Sequence, residues 1–268
     1  MTQPTAALGP LIRTYGKSRS FLFVWWALAV LFAAAGALVL SLVPGQGSTV
    51  RFDGNVSLLY GTAAGAFGLA VLFVVVPWLL TRSQPTYHLH EKGVRYVGPQ
   101  GDRTDLYQDI EDLYVFNYGG FAYRATPQAP WCSAGGRVSA LGELTQRLRT
   151  LHAEHRAERL YQALEAGQTV SFRCLSDQVA FSKSVVASRN MDHPTYPLEL
   201  NRQELKIQGK AIPLQAIDDI RRNDWIEKSS IVDTQGRVLH TMHPTAVMSF
   251  DVLYTLLARL QGAALQRA

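Results

Sequence analysis

Two apolar runs dominate the first third of the chain, Phe21 to Val43 and Ser57 to Thr81, and neither contains a charged residue. Each is long enough to cross about 30 Å of hydrocarbon as a helix, which takes roughly 20 residues. Helix is the expected form, because a backbone in lipid must satisfy its own N–H and C=O groups. The pattern predicts a transmembrane hairpin over 21–81, with spans 21–43 and 57–81, behind a loosely ordered tail, 1–20, broken by Pro4, Gly9, Pro10 and Gly16. Pro44 to Val56 reads as an exposed turn between the spans. Gly61, Gly65 and Gly68 place a small-residue groove on the second helix, and Ala33 to Ala37 a matching stretch on the first, so close packing of the two is expected there. Trp25, Trp26 and Trp78 fall at one end of such a hairpin, where an aromatic belt belongs.

From Gln84 the hydrophobic period shortens to two. Tyr87 and Leu89 alternate with His88 and His90, Gly93 breaks the run, and Val94 and Tyr96 resume it. Gly98 to Arg103 reads as the next turn, Leu106 to Asn117 as a third strand, and Phe121 to Ala125 as a fourth after the Gly119-Gly120 connection. Leu141, Leu144, Leu148 and Leu151 then recur at helical spacing, whereas Ala153, Ala157, Leu160 and Leu164 lie on nearly the opposite side of the same wheel. The apolar stripe changes partner near His152. Either the helix breaks there, or one long helix over 138–166 bridges two modules.

Strand patterns return at Thr169 to Leu175 and Val179 to Ala187, and the passage from Tyr196 repeats the passage from Tyr87. Val94-Arg-Tyr-Val-Gly is echoed by Leu205-Lys-Ile-Gln-Gly, and Ile110-Glu-Asp-Leu by Ile217-Asp-Asp-Ile. Further strands are expected over Ile226 to Asp233 and Val238 to Met242, and a last helix from about Ala246 to Leu260. The soluble part is therefore expected to be α+β: two tandem antiparallel-sheet-plus-helix modules, 84–166 and 167–268, able to fold without the hairpin.

Four stretches carry a resemblance: Tyr-x-Leu-x-Glu-x-Gly-Val from Tyr87, Asp109 to Leu113, Leu164 to Phe172, and Pro213 to Ile220. With the charge-free hairpin in front of them, they resemble a group of bacterial membrane-anchored proteins whose cytoplasmic parts are similar to PH and GRAM domains, in a YcxB-like layout. The resemblance implies two PH/GRAM-like modules and no activity.

Charge refines the picture of the anchor. Of 26 Lys and Arg and 21 Asp and Glu, residues 1–81 hold four basic and one acidic, leaving 22 against 20. The soluble part is nearly balanced, and no basic stripe interleaved with aromatics tracks a nucleic acid. Arg13, Lys17 and Arg19 precede the first span and Arg82, Lys92 and Arg95 follow the second, so both termini are expected in the cytoplasm of a multi-pass inner-membrane protein. Cys132 and Cys174 read as free structural thiols in a reducing compartment.

Candidate chemistry is sparse. His88 with His90, His152 with His155 and His240 with His243 are paired, yet none has a third ligand at metal-site spacing. Glu111-Asp112 and Asp218-Asp219 occupy equivalent places in the two copies, which strand-and-turn architecture explains better than acid–base catalysis. No Gly-x-Ser-x-Gly elbow or phosphate loop is present. Arg149, Arg156 and Arg159 lie within one side of the bridging helix and are candidates for contact with anionic lipid or a partner. The expectation is a membrane-tethered, non-enzymatic binding or scaffold protein without cofactor, partnered by the bilayer and by another protein rather than by nucleic acid. An immunity protein that blocks a toxin at the inner membrane and a metal- or ligand-sensing membrane protein are the alternatives.

Overall fold

The computed structural model of the chain describes residues 5–43, 55–99, 101–117, 119–176, 178–180, 191–223 and 228–265. The two spans form helices Arg19–Ser41 (α1) and Val56–Arg82 (α2), each long and apolar enough to cross a membrane. Ser18 caps α1 by accepting from the Phe21 N–H at 3.3 Å, and Asn55 caps α2 by accepting from the Ser57 N–H at 3.0 Å. Residues 44–54 of the expected Pro44 to Val56 turn lie outside the described residues.

The two helices pack, but not through the expected groove. Gly61, Gly65 and Gly68 are exposed, and a Cβ added at any of them would meet nothing within 4 Å. The close approach is at Gly36 of α1, where a Cβ would come within 3.1 Å of the Phe67 ring and 3.3 Å of the Ala63 carbonyl. Ala29 and Gly36 are buried on α1, and Leu59, Ala63, Ala70 and Pro77 on α2, while Ala33 is half-buried and Ala37 exposed. Large rings set this rotation. Trp25 and Phe32 pack on Phe73 at centroid distances of 5.4 and 5.2 Å, so the aromatics fill the seam and the glycine stripe faces away from it.

Residues Gly16–Pro85 and Arg137–Ser139 form one compact unit, in which the Ser18 N–H donates to the Arg137 carbonyl at 2.9 Å and the Ser139 N–H to the Gly16 carbonyl at 2.8 Å. The other unit holds everything else that is described. Its first half opens where a loose tail was expected: Leu11–Tyr15 is a strand (β1), paired antiparallel with Thr86–His90 (β2). Gly93–Gly98 (β3) and Gly101–Leu106 (β4) complete a sheet of order β1-β2-β3-β4, so the turn expected over Gly98 to Arg103 is mostly strand. The 1–20 tail and the boundary at 84 are both corrected by this pairing, because the sheet takes its first strand from before the hairpin.

The expected strand over Leu106 to Asn117 is interrupted by a single 3-10 turn, Tyr107–Asp109, after which the chain enters a second sheet. Tyr107 is fully buried and donates its hydroxyl to the His90 carbonyl at 3.0 Å, which pins the turn. Asp112–Phe116 (β5), Gly120–Arg124 (β6) and Cys132–Ala134 (β7) form that sheet in sequence order. The core of this half is aromatic. Tyr87 meets Tyr96 and Phe121 edge-on at 5.6 and 5.5 Å.

Leu141–Glu165 is one unbroken helix (α3). Beyond it, Val170–Leu175 (β8), Thr195–Leu200 (β9), Glu204–Ile207 (β10) and Lys210–Pro213 (β11) form a second four-stranded meander. A 3-10 turn, Leu214–Ala216, leads to Asp219–Asn223 (β12), Lys228–Val232 (β13) and Val238–Met242 (β14), and then to helix Phe250–Leu265 (α4). Among the described residues the two halves thus repeat one order, four strands, a 3-10 turn, three strands and a helix, with α1 and α2 set between β1 and β2 and a helical stretch at 178–180 between β8 and β9. Of the strand expected over Val179 to Ala187, Val179 and Ala180 are helical and residues 181–190 lie outside the described set. The last helix starts later than expected because Pro244–Ala246 forms a 3-10 turn and Ser249 takes a left-handed φ of +57°.

Candidate functional site

α3 positions everything that follows. Its first half presents Leu144, Leu148 and His152 as buried residues, and its second half puts Ala157 and Leu164 into the core formed by β8 to β12 and α4. The switch of apolar stripe near His152 is therefore a change of partner along one continuous helix. His152 is fully buried, with Nε2 3.1 Å from the Ile110 carbonyl. His155 lies against the first half too, its Nε2 3.0 Å from the Glu91 carbonyl and its ring stacked on Tyr107.

Burial pushes the His152 pKa down from 6.5 to about 4, so the imidazole stays neutral and Nε2–H is the donor to Ile110. The unfolded chain binds a proton that the folded chain refuses between those two values. His152 stability is thus fully present above pH 6.5 and lost as pH falls toward 4, by about 1.4 kcal/mol per unit. His152→Gln keeps an Nε2–H donor and does not titrate. Urea unfolding of the detergent-solubilised chain should show parent and variant converging as pH falls through this window; parallel pH profiles would rule the effect out.

The two halves are joined by a polar seam. Asp112, with its side chain 2 % exposed, accepts from Arg124 Nε at 2.7 Å and from Arg173 Nε at 3.0 Å, and Arg173 Nη2 donates to Glu111 at 3.1 Å. Beside them Ser249 donates its N–H to the Leu113 carbonyl at 2.8 Å and accepts the Leu113 N–H on Oγ at 3.1 Å, while that hydroxyl donates to the Glu111 carbonyl at 3.2 Å. Met248 adds a backbone bond to the Arg173 carbonyl at 2.8 Å and packs with Tyr114, Phe116, Ala122 and Leu175. Backbone and side chain therefore bind the two copies together at one place.

Next to the seam lies a cleft of 980 Å³, bordered by β5, the first turns of α3, Ile220 of β12 and the residues leading into α4. Its charged side chains pair with each other: Arg149 donates to Asp251 through Nε at 2.8 Å and Nη2 at 2.7 Å. That bidentate contact raises the Arg149 pKa further and fixes the residue as a cation. Thr145 lines the cleft with its hydroxyl buried and without a hydrogen-bond partner among the described residues. His243 contributes through its Nδ1, 2.6 Å from the Thr245 hydroxyl. Compared with known proteins, the chain matches no family model and no curated sequence.

A smaller cavity of 540 Å³ is lined by Asp105, Asp109, Glu111, Arg156 and Arg159. Burial raises the Asp105 pKa and lowers that of Arg156. The three arginines proposed from sequence thus separate: Arg149 faces Asp251 in the cleft, whereas Arg156 donates to the Gln108 carbonyl at 3.1 Å and Arg159 pairs with Asp109. All three are engaged within the chain.

Among the described residues no three His, Cys, Asp or Glu side chains converge as metal ligands. His88 lies with Nδ1 3.0 Å from the Thr14 hydroxyl and His90 with Nδ1 2.9 Å from the Gly9 carbonyl, so the paired histidines serve the β1 junction. Cys132 and Cys174 are free and buried, and burial pushes their thiols up to about 11 and about 12, well away from reactive thiolate. Ser249, Asp251 and Arg173 were not visible as site residues in the sequence, because each acquires its role from a strand or helix distant in the chain.

Proposed function

We propose that this chain is a membrane-tethered, non-enzymatic binding protein that uses the cleft between two tandem PH/GRAM-like modules to hold a protein partner at the cytoplasmic face of the inner membrane. The observation that carries the reading is the cleft itself: a 980 Å³ groove built jointly by both copies, with its charges internally neutralised. Among the described residues the carboxylate and the guanidinium that line it pair with each other, which supports docking. The repeated order of elements in the two halves supports the tandem-module reading, and the two long apolar helices support the tether.

Tyr254 lines the cleft and is 48 % exposed, whereas Gln235 is exposed on a turn away from the cleft lining. A photo-crosslinking residue at 254 should yield one discrete adduct in native membranes that the same residue at 235 does not. Identical adduct patterns at the two positions, or none at either, would overturn the docking role of the cleft.

The tether has its own test. The basic residues before α1 and after α2 support a topology with both termini in the cytoplasm. A reporter active only outside the cytoplasm should be active when inserted at Gly47 and silent after Ala268; the opposite pattern would refute this topology.

A further inference from the structure

The smaller cavity holds two buried charges that leave bonding positions open. Asp105, on β4, has a side chain only 10 % exposed, and its ion pair among the described residues is with Arg103, whose Nη2 lies 3.8 Å from Oδ1. That is too long for a hydrogen bond. The other oxygen, Oδ2, is buried and has no hydrogen-bond partner among the described residues. On α3, Arg156 donates through Nη1 to the Gln108 carbonyl at 3.1 Å, while its Nε is buried and likewise without a partner. Both side chains line the same 540 Å³ cavity. The other charges on its wall are used, since Arg159 pairs with Asp109 and Glu111 with Arg173. Burial raises the Asp105 pKa and lowers that of Arg156, as expected of ions stripped of water and incompletely bonded in return.

We infer that this cavity binds a small zwitterion, whose ammonium group donates to Asp105 Oδ2 and whose carboxylate accepts from Arg156 Nε. The site is separate from the docking cleft and shares no lining residue with it. Charge sets the class of ligand. A pure anion would meet the carboxylates of Asp105, Asp109 and Glu111, and a pure cation would meet the guanidinium groups of Arg156 and Arg159. A molecule with one charge of each sign satisfies both open positions and adds no net charge to a buried place. Both new bonds are charge-assisted, which makes them the stronger kind. Leu160 gives the wall an apolar stretch for the carbon chain between the two ends. The volume also fits, because small-molecule sites run from about 300 to 1,000 Å³.

The test is a calorimetric titration of the full chain in detergent micelles. The probes are unbranched ω-amino acids of increasing length, from glycine to 6-aminohexanoate, together with glycylglycine. One length should bind best, at one molecule per chain, because the fold fixes the separation of the two anchors. Acetylating its amine or esterifying its carboxylate should each weaken binding about tenfold or more. Asp105→Asn should weaken the zwitterion but not its N-acetyl form, and Arg156→Met should weaken the zwitterion but not its ester. A general loss of structure would not give that crossed pattern. If either variant fails to fold, the two blocked ligands decide the matter on the parent chain. An N-acetyl form that binds as tightly as the zwitterion makes the cavity an anion site, and an equally tight ester makes it a cation site; either result overturns the inference. Binding that survives both substitutions lies elsewhere and overturns it too. So does the absence of heat with every member of the series at millimolar concentration, which leaves Oδ2 and Nε to water. The crosslinking at position 254 decides the docking role independently of all these outcomes.

Discussion

A chain that starts at Gln84 is expected to be recovered as aggregate, whereas one that keeps residues 1–18 and replaces 19–83 with a short Gly/Ser link is expected to be soluble and to melt cooperatively. The difference is β1. Starting at Gln84 removes Tyr15 and Leu8, both essentially fully buried, and each such deletion from a core costs about 2–5 kcal/mol. Against a total stability of about 5–15 kcal/mol for a domain, that loss alone is enough to unfold it. Removal of β1 also bares β2 as a new sheet edge, with Tyr87 and Leu89 no longer covered by a pairing strand. The linked chain retains the Arg13 and Tyr15 contacts to Glu143 at 2.7 and 3.2 Å, which clasp β1 to α3. Tyr15 pairs opposite Tyr87, so a short link can close the gap. Recovered soluble fraction and calorimetry read the outcome, and a synthetic peptide covering Thr5–Tyr15 should rescue the shorter chain in trans. A stable, cooperatively melting chain from Gln84 without that peptide would show β1 to be dispensable.

The contrast between β1 and the spans explains what the sequence made legible. α1 and α2 were readable because unbroken, charge-free apolar runs of that length favour continuous helix, and helix ends at Ser18 and Asn55 follow from local capping. β1 was hidden because Leu11 to Tyr15 is five residues between Gly9-Pro10 and Gly16, and its partner strand lies beyond the entire hairpin. Gly61, Gly65 and Gly68 matched a packing motif, yet the rotation of α2 is decided by rings on both helices, which a motif on one helix does not contain. The change of stripe along α3 was legible because burial follows helical periodicity. Its arginines were not, since a helical wheel says which side Arg149, Arg156 and Arg159 share but not that Asp251 and Asp109 come to meet them. The cleft is invisible for the same reason: its walls come from β5, α3 and α4, which only the fold brings together.

Equivalent acids in the two repeats should behave very differently. Asp112 and Asp219 stand in matching places, in Ile-Glu-Asp-Leu and Ile-Asp-Asp-Ile, and each begins the first strand of a three-stranded sheet. Asp112 is buried between Arg124 and Arg173, whereas Asp219 has a side chain 55 % exposed and a contact to Arg221 at 3.8 Å. Removing one member of a buried ion pair costs about 3–5 kcal/mol, because the partner charge is left behind without compensation. Here two guanidinium groups lose the carboxylate, Arg124 keeping only the Pro127 carbonyl and Arg173 only Glu111, so Asp112→Ala should fall toward the lower end of that range. Asp219→Ala breaks a screened surface contact and an exposed hydrogen bond from the Ile220 N–H, and should cost about 1 kcal/mol or less. The consequence for cooperativity is separate from the magnitude. Arg173 opens the second half, so loss of Asp112 loosens the seam that joins the copies and should split one calorimetric transition of the linked soluble chain into two. Asp219→Ala should leave a single transition. Equal and small effects of the two substitutions would mean that Ser249 and the packing around Met248 hold the halves together without the buried carboxylate.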